Sequence, residues 1–110
     1  ELLLDRGARI EARGYDYTRP LHWAAGMGQV GAIGFLLDRG AVIEARDNSG
    51  MTPLHRATAE AQVGAIGFLL DRGAEIGSLD EDSETPLHWA AATGQVETIS
   101  FLLDRGAVIE

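Results

Sequence analysis

Apolar residues recur along the chain at the three-and-four spacing that marks one face of a helix. The clearest set is Val30, Ile33, Leu36 and Leu37. This set predicts a helix over residues 30–39, and a shorter apolar face just before it predicts another over residues 20–27. Gly28 and Gly40 follow these helices, and glycine often ends a helix because it adopts the left-handed conformation. The basic unit is therefore a helix pair followed by a polar loop.

This unit is repeated at a constant spacing. Pro20, Pro53 and Pro86 stand 33 residues apart, and so do four copies of the segment Leu-Leu-Asp-Arg-Gly-Ala. The repetition predicts further helices over residues 53–60, 63–72, 86–93 and 96–105. Self-similarity at such a period is typical of solenoid proteins, which are stacks of one supersecondary unit. We expect one all-α domain over residues 1–110, with a partial unit at 1–11 and units at about 12–44, 45–77 and 78–110.

Each first helix of a unit begins at a motif that suits a helix N-terminus. Thr52 and Thr85 are placed to accept a hydrogen bond from an orphan backbone N–H, and Pro53 and Pro86 follow at the first helical position. Arg19 replaces the threonine in the first unit. The first helix of that unit is therefore expected either to use the neighbouring Thr18 or to begin without a side-chain cap.

The motifs resemble the ankyrin repeat, and the resemblance covers essentially the whole chain. The segments that carry it are Asp47 to His55 and Leu69 to Ala74, together with their copies one period away. The resemblance implies an ankyrin-repeat solenoid of about three and one third helix-turn-helix repeats, each with a protruding β-turn called a finger. It also implies that the finger tips and the first helices form a concave binding face.

Two departures from the family pattern concern the loops. Where the family usually has asparagine after Gly-Ala-Asp-Val, the chain has Glu11, Glu44, Gly77 and Glu110. We expect such a glutamate to pair with Arg13 or Arg46 in place of the asparagine contacts. The turn glycine of the family is kept only at Gly50, so the fingers that carry Tyr17 and Ser83 are expected to be distorted.

Composition narrows the classes of function. The net charge of −8 argues against a nucleic-acid partner, because such affinity depends on Lys and Arg neutralising phosphates. The absence of cysteine excludes disulfides and thiolate metal sites, and makes a reducing cytoplasm the expected compartment. No apolar run approaches the ~20 residues of a membrane-spanning helix, so no membrane partner is expected.

The three histidines and the acidic run at 80–84 are the obvious candidates for chemistry. Equivalent positions of stacked helices lie roughly 10 Å apart, whereas zinc ligands lie about 2 Å from a shared ion. Each imidazole is therefore expected to bond the threonine of its own motif and nearby backbone. The acidic run lacks the glycine and the closing glutamate of a calcium loop, so we interpret it as a solvated finger. No enzyme activity, metal or cofactor is expected.

Side chains at equivalent positions of the first helices suggest a binding face. Trp23, Arg56 and Trp89 belong to the residue types that dominate binding hot spots, although the tryptophans could instead pack between repeats. The candidate partner-binding residues are Tyr15, Asp16, Thr18, Trp23, Met27, Asn48, Ser49, Met51, Arg56, Glu60, Glu81, Asp82, Glu84 and Trp89.

Two functions remain open from the sequence. The first is a protein–protein interaction module that binds a protein partner through the concave face and the finger tips. The alternative is a structural or self-associating segment that stacks weakly head to tail through its uncapped ends. The fingers vary while the scaffold residues are nearly identical, which favours recognition.

Overall fold

The structure is a computed structural model that describes residues 18–109. Six α-helices lie in that range. They are α1 (Pro20–Gly26), α2 (Val30–Asp38), α3 (Pro53–Ala59), α4 (Val63–Asp71), α5 (Pro86–Ala92) and α6 (Val96–Asp104). Each begins where the apolar and capping patterns predict, and each ends one residue earlier. The predicted all-α solenoid is confirmed.

The helices stack in two layers, with α1, α3 and α5 in one layer and α2, α4 and α6 in the other. Small side chains at the contacts of the first layer, such as Ala57 and Ala90, are fully buried and let the helix axes approach closely. Leucine and isoleucine side chains such as Leu54 and Ile66 fill the space between the layers. One continuous core therefore runs through the three repeats.

Two glycines within the second helices receive a phenylalanine from the next repeat. A Cβ added at Gly34 would lie 3.2 Å from Cζ of Phe68, and one added at Gly67 would lie 3.1 Å from Cζ of Phe101. Both distances are tighter than an ordinary contact, so the ring fits because the side chain is absent. Ser100 stands at the equivalent position of α6. The third repeat therefore differs from the other two on the face where a further repeat would stack.

Polar contacts also join neighbouring repeats. Asp38 accepts a hydrogen bond from Arg72 at 3.0 Å, and Asp71 accepts one from Arg105 at 2.8 Å. The Gln62 amide donates to the carbonyl of Gly26 at 3.1 Å, across the top of the first layer. Because these pairs recur at equivalent positions, they fix the register of one repeat on the next.

The expected pairing of Glu44 with Arg46 is wrong. The Glu44 carboxylate instead accepts from the backbone N–H of Glu75 at 2.8 Å and from the Ser78 hydroxyl at 2.9 Å, at the boundary between the second and third repeats. The Arg46 guanidinium donates to the carbonyls of Gly50 and Leu79. The Glu44 side chain therefore connects repeats, and the Arg46 side chain holds its own finger at Gly50 as well as the next one at Leu79. Glu11, Arg13 and Glu110 lie outside the described residues.

Candidate functional site

The buried histidines hold the fingers in place. The Nδ1 atom of His55 accepts from the backbone N–H of Thr52 at 3.1 Å and lies 2.9 Å from its hydroxyl, as the sequence predicts. The Nε2 atom donates to the carbonyl of Glu84 in the next finger at 2.9 Å. Burial lowers the pKa of His55, so the imidazole is neutral and serves as a structural connector.

His22 makes the equivalent connection although its motif lacks the threonine. Its Nδ1 atom accepts from the backbone N–H of Arg19 at 3.0 Å, and its Nε2 atom donates to the carbonyl of Met51 at 2.9 Å. Burial lowers the pKa of His22 as well. Arg19 forms no side-chain cap, as predicted. The backbone contact alone is therefore sufficient to orient this ring.

An aspartate folds each described finger. In the second finger, residues 47–51, Oδ1 of Asp47 accepts from the N–H groups of Ser49 and Met51 at 2.9 Å each. In the third finger, residues 80–84, Oδ1 of Asp80 accepts from Asp82 and Glu84 at 2.9 Å each. The two turns have the same hydrogen bonds.

The predicted distortion of the third finger is therefore wrong. Ser83 adopts φ +61°, close to the φ of +74° at Gly50, so serine takes the left-handed conformation that the turn requires. Glycine is needed at position 50 for a second reason, because a Cβ there would lie 2.6 Å from the backbone nitrogen of Glu81. The finger with Tyr17 lies outside the described residues.

The second oxygen of each aspartate reaches the first helix of its repeat. Oδ2 of Asp47 accepts from Nε and Nη2 of Arg56 at 3.0 and 2.8 Å. Oδ2 of Asp80 accepts from the indole Nε1 of Trp89 at 2.9 Å. Burial by itself would raise the pKa of Asp80, but hydrogen bonds from Glu84, Trp89 and Asp82 lower it. The carboxylate is thus a fixed anion between finger and helix.

Asp80 corrects the interpretation of the acidic run as a solvated finger. Its side chain is turned inward and buried, whereas Glu81, Asp82 and Glu84 point to solvent. Within the described residues, no group of acidic or histidine side chains could hold a metal ion.

The two tryptophans have different environments although each lies in the segment Pro-Leu-His-Trp-Ala-Ala. Trp89 is half-buried against its finger, whereas Trp23 is 62% exposed. The bonding partner of Trp89 stands nine residues before it, and the residue nine before Trp23 in sequence is Gly14, which has no carboxylate. The alternative of packing between repeats does not describe Trp23.

A groove of about 190 Å³ opens beside Trp23, between α1 and α3. Its lining residues are His22, Trp23, Gly26, Met27, Arg56 and Glu60. Met27 is 63% exposed, so two large apolar side chains are presented next to each other. The Glu60 side chain crosses to Gly26, with its Cγ 3.9 Å from the Cβ position of that glycine.

The remaining candidate residues fall into three groups. In addition to Trp23 and Met27, the exposed candidates are Asn48, Ser49, Glu60, Glu81, Asp82 and Glu84. Arg56 and Trp89 are half-buried, each against the aspartate that it contacts. The expectation that Thr18 and Met51 lie on the surface is wrong, because both are buried. Tyr15 and Asp16 lie outside the described residues. Asp47 and Asp80 are not among the candidate residues predicted from the sequence, although their nine-residue spacing to Arg56 and Trp89 is a usable signal.

The last repeat presents a second groove, of about 200 Å³, on the face that the other repeats bury. Its lining residues are Thr85, Leu87, His88, Ala91, Val108 and Ile109. His88 keeps the contact of its Nδ1 atom with Thr85 at 2.9 Å but is exposed. The surface that would receive a further repeat is thus open to solvent here.

Two comparisons bear on the family. A family model described as ankyrin repeats, in three copies, matches residues 1–80 and 47–110, which together span the chain. A search of curated proteins found no match. No helix of residues 18–109 is both long enough and apolar enough to cross a membrane. Ankyrin repeats are generally protein–protein interaction modules and typically not enzymes. The full-length match, with the stacked helix pairs and fingers, shows that this chain belongs to the ankyrin-repeat family.

Proposed function

We propose that this chain binds a protein partner through the face formed by its first helices and fingers, with Trp23 and Met27 as the apolar anchor. The observation that supports this most directly is the exposure of both side chains, 62% and 63%, beside one groove. Exposed large apolar groups that adjoin one another and are rimmed by polar residues mark interaction surfaces. Tryptophan is also the residue type most enriched among binding hot spots.

The polar part of the proposed face surrounds this anchor. Asn48 and Ser49 form a neutral tip, and Glu81, Asp82 and Glu84 form an acidic one. The fingers carry these tips rigidly, because Ser49 accepts a backbone hydrogen bond from Glu81 at 2.9 Å. The whole chain has a net charge of −8, and its acidic tip favours a partner with a basic patch. Charges at such a tip mainly increase the rate of association.

Four of the candidate residues lie beneath the proposed face and support it: Thr18, Met51, Arg56 and Trp89. Asp47 bonds Arg56, Asp80 bonds Trp89, and Thr18 accepts from Nη2 of Arg56 at 3.2 Å. Replacing these side chains would therefore disturb the scaffold before it removed a contact with the partner.

The test compares the two tryptophans, which occupy identical local sequences. We expect Trp23→Ala to weaken binding to a captured protein partner by about 2 kcal/mol or more, with an unchanged unfolding midpoint. Trp89→Ala should lower the unfolding midpoint and change affinity less. Isothermal titration and urea denaturation measure the two quantities. Full affinity of Trp23→Ala would exclude this anchor.

Head-to-tail stacking is a second candidate function, and the open groove on the last repeat supports it. Val108 and Ile109 are 72% and 73% exposed there, beside the exposed ring of His88. A second copy that covered this groove would bury them and create a heterologous contact, which need not close. Sedimentation equilibrium should then show weak association that Val108→Asp abolishes. A strict monomer at millimolar concentration would exclude this function.

A further inference from the structure

The two copies of the segment Pro-Leu-His-Trp-Ala-Ala differ in one hydrogen bond. In the third repeat, the indole N–H of Trp89 donates to the carboxylate of Asp80 at 2.9 Å. In the first repeat, no described residue accepts from the indole of Trp23. In the sequence, the residue nine positions before Trp23 is Gly14, which has no carboxylate. Trp23 therefore presents a directional donor as well as a large apolar ring.

The surroundings of Trp23 suit an incoming anion. Arg56 lines the same groove from α3, and Asp47 and Thr18 hold its guanidinium there through hydrogen bonds at 2.8 and 3.2 Å. A carboxylate that reached the indole would share the groove with the Arg56–Asp47 ion pair, and a hydrogen bond to a charged acceptor is stronger than one to a neutral acceptor. Glu60 lines the Gly26 end of the same groove, so the acid is expected at the indole of Trp23 rather than at that end.

We propose that the protein partner inserts an aspartate or glutamate side chain that accepts from Nε1 of Trp23, with an aliphatic side chain beside it on Met27. This inference rests on the proposed function and specifies the chemistry of the segment that binds. The chain itself supplies the precedent, because Asp80 occupies the corresponding place on Trp89. The partner thus completes in the first repeat the contact that the third repeat makes internally.

The experiment uses a displayed library of random peptides selected against the whole chain. Selected peptides should be enriched in Asp or Glu next to Leu, Ile or Met. For one such peptide, replacing its acid by the matching amide should weaken binding roughly 10-fold or more, the loss expected for a hydrogen bond to a charged group. Trp23→Phe, which keeps a ring but removes the N–H, should produce a similar loss.

A double-mutant cycle then localises the contact. With Trp23→Phe, changing the peptide acid to its amide should cost little further affinity, because the donor has already been removed. The peptide should also shift the indole ¹⁵N–¹H signal of Trp23, which the Trp89→Phe variant identifies. Gly14→Asp, which restores the nine-residue spacing of Asp80 and Trp89, should compete with the peptide and weaken its binding.

The outcomes separate this inference from the proposed function. If the amide peptide loses the same factor on the parent chain and on Trp23→Phe, the carboxylate binds elsewhere and the inference is wrong. If Trp23→Ala abolishes binding while Trp23→Phe and the amide peptide bind normally, the proposed apolar anchor is supported and the proposed carboxylate contact is wrong. If Trp23→Ala changes nothing, or no peptide is selected, both proposals fail.

Discussion

The buried imidazoles of His22 and His55 each connect one repeat to the next finger, and both do so as neutral groups. Burial lowers their pKa in the folded chain below the usual value of about 6.5. Below pH 6.5, these two histidines bind protons more readily in the unfolded chain than in the folded chain. The stabilising contribution is therefore complete above pH 6.5 and is lost as the pH falls towards the folded pKa values.

We accordingly expect the free energy of unfolding to decrease between pH 7.5 and pH 5, as measured by urea denaturation. The double variant His22→Asn, His55→Asn should be less stable at pH 7.5 but should show a weaker dependence on pH. An unchanged urea midpoint of the parent chain across this range would contradict the assignment of neutral buried rings.

The capping threonines provide a matched pair at the same scale. Thr52 is buried and contacts His55, which in turn bonds Glu84, whereas Thr85 and His88 make the same local contacts with more exposure to water. Thr52→Ala should cost about 1–2 kcal/mol, because it removes a cap and a buried hydrogen bond. Thr85→Ala should cost about 0.5–1 kcal/mol. Urea midpoints that fell equally would refute this dependence on burial.

Single residues also show where prediction from the sequence stops. The local sequence around Trp23 and Trp89 is identical, so no local pattern could assign one to the surface and the other to a finger contact. The difference depends on the residue nine positions earlier, Gly14 or Asp80, and on a turn that brings it back to the helix. Side-chain contacts that cross a turn are not part of the apolar periodicity, and only the nine-residue spacing from an aspartate indicates this one.

At the scale of one element, the second helices differ by their glycines. A Cβ at Gly31 or Gly64 would meet nothing within 4 Å, whereas a Cβ at Gly34 or Gly67 would press on a phenylalanine ring. Gly64→Ala should therefore stabilise the chain by about 0.5–1 kcal/mol, since glycine is a poor helix former. Gly67→Ala should stabilise it less or destabilise it, because Phe101 must move.

Thermal and urea unfolding of these two alanine variants, which lie three residues apart in α4, provide the measurement. Gly31→Ala and Gly34→Ala in α2 are the control pair and should differ in the same direction. Equal stabilisation by all four substitutions would show that the phenylalanine rings do not need the space.

The elements themselves followed from the sequence because their causes are local. Apolar spacing predicted all six described helices to within one residue, with Pro at the start of α1, α3 and α5 and Gly after every helix except α3, where Ala61 takes the left-handed conformation. The loops did not follow as well, because their contacts cross between repeats. Glu44 bonds the next repeat rather than Arg46, and Ser83 accepts a left-handed conformation that the turn imposes.

At the scale of the whole molecule, the glycine of each junction comes from one repeat and the phenylalanine from the next, so the position of an added repeat matters. Inserting a second copy of residues 46–78 after Ser78 would place the copied Phe68 on Gly67, and the copied Gly67 beneath Phe101. We expect this longer chain to unfold in one transition at a higher temperature, because solenoid stability grows with each matching interface. Appending residues 45–77 after Glu110 would instead place Phe68 of the copy on Ser100.

Ser100→Gly distinguishes the two cases by the sign of its effect. In the parent chain it should destabilise by about 0.5 kcal/mol, because glycine replaces serine within a helix. In the appended chain it should stabilise by about 1–3 kcal/mol, because it relieves the overpacking. Calorimetry of the four chains tests this, and a loss of stability in both backgrounds would mean that the ring is accommodated in another way.

The fit of a phenylalanine ring on a glycine also bears on how a gene for such a chain can change in length. Unequal recombination between similar coding units adds or removes copies without regard to packing. Copies gained between Gly34 and Phe101 reproduce a fitted junction each time, whereas a copy gained beyond Ser100 begins with a mismatch. Copy number can therefore change between Gly34 and Phe101 without disturbing this packing, whereas a repeat that placed its phenylalanine on Ser100 would also need a change at that residue.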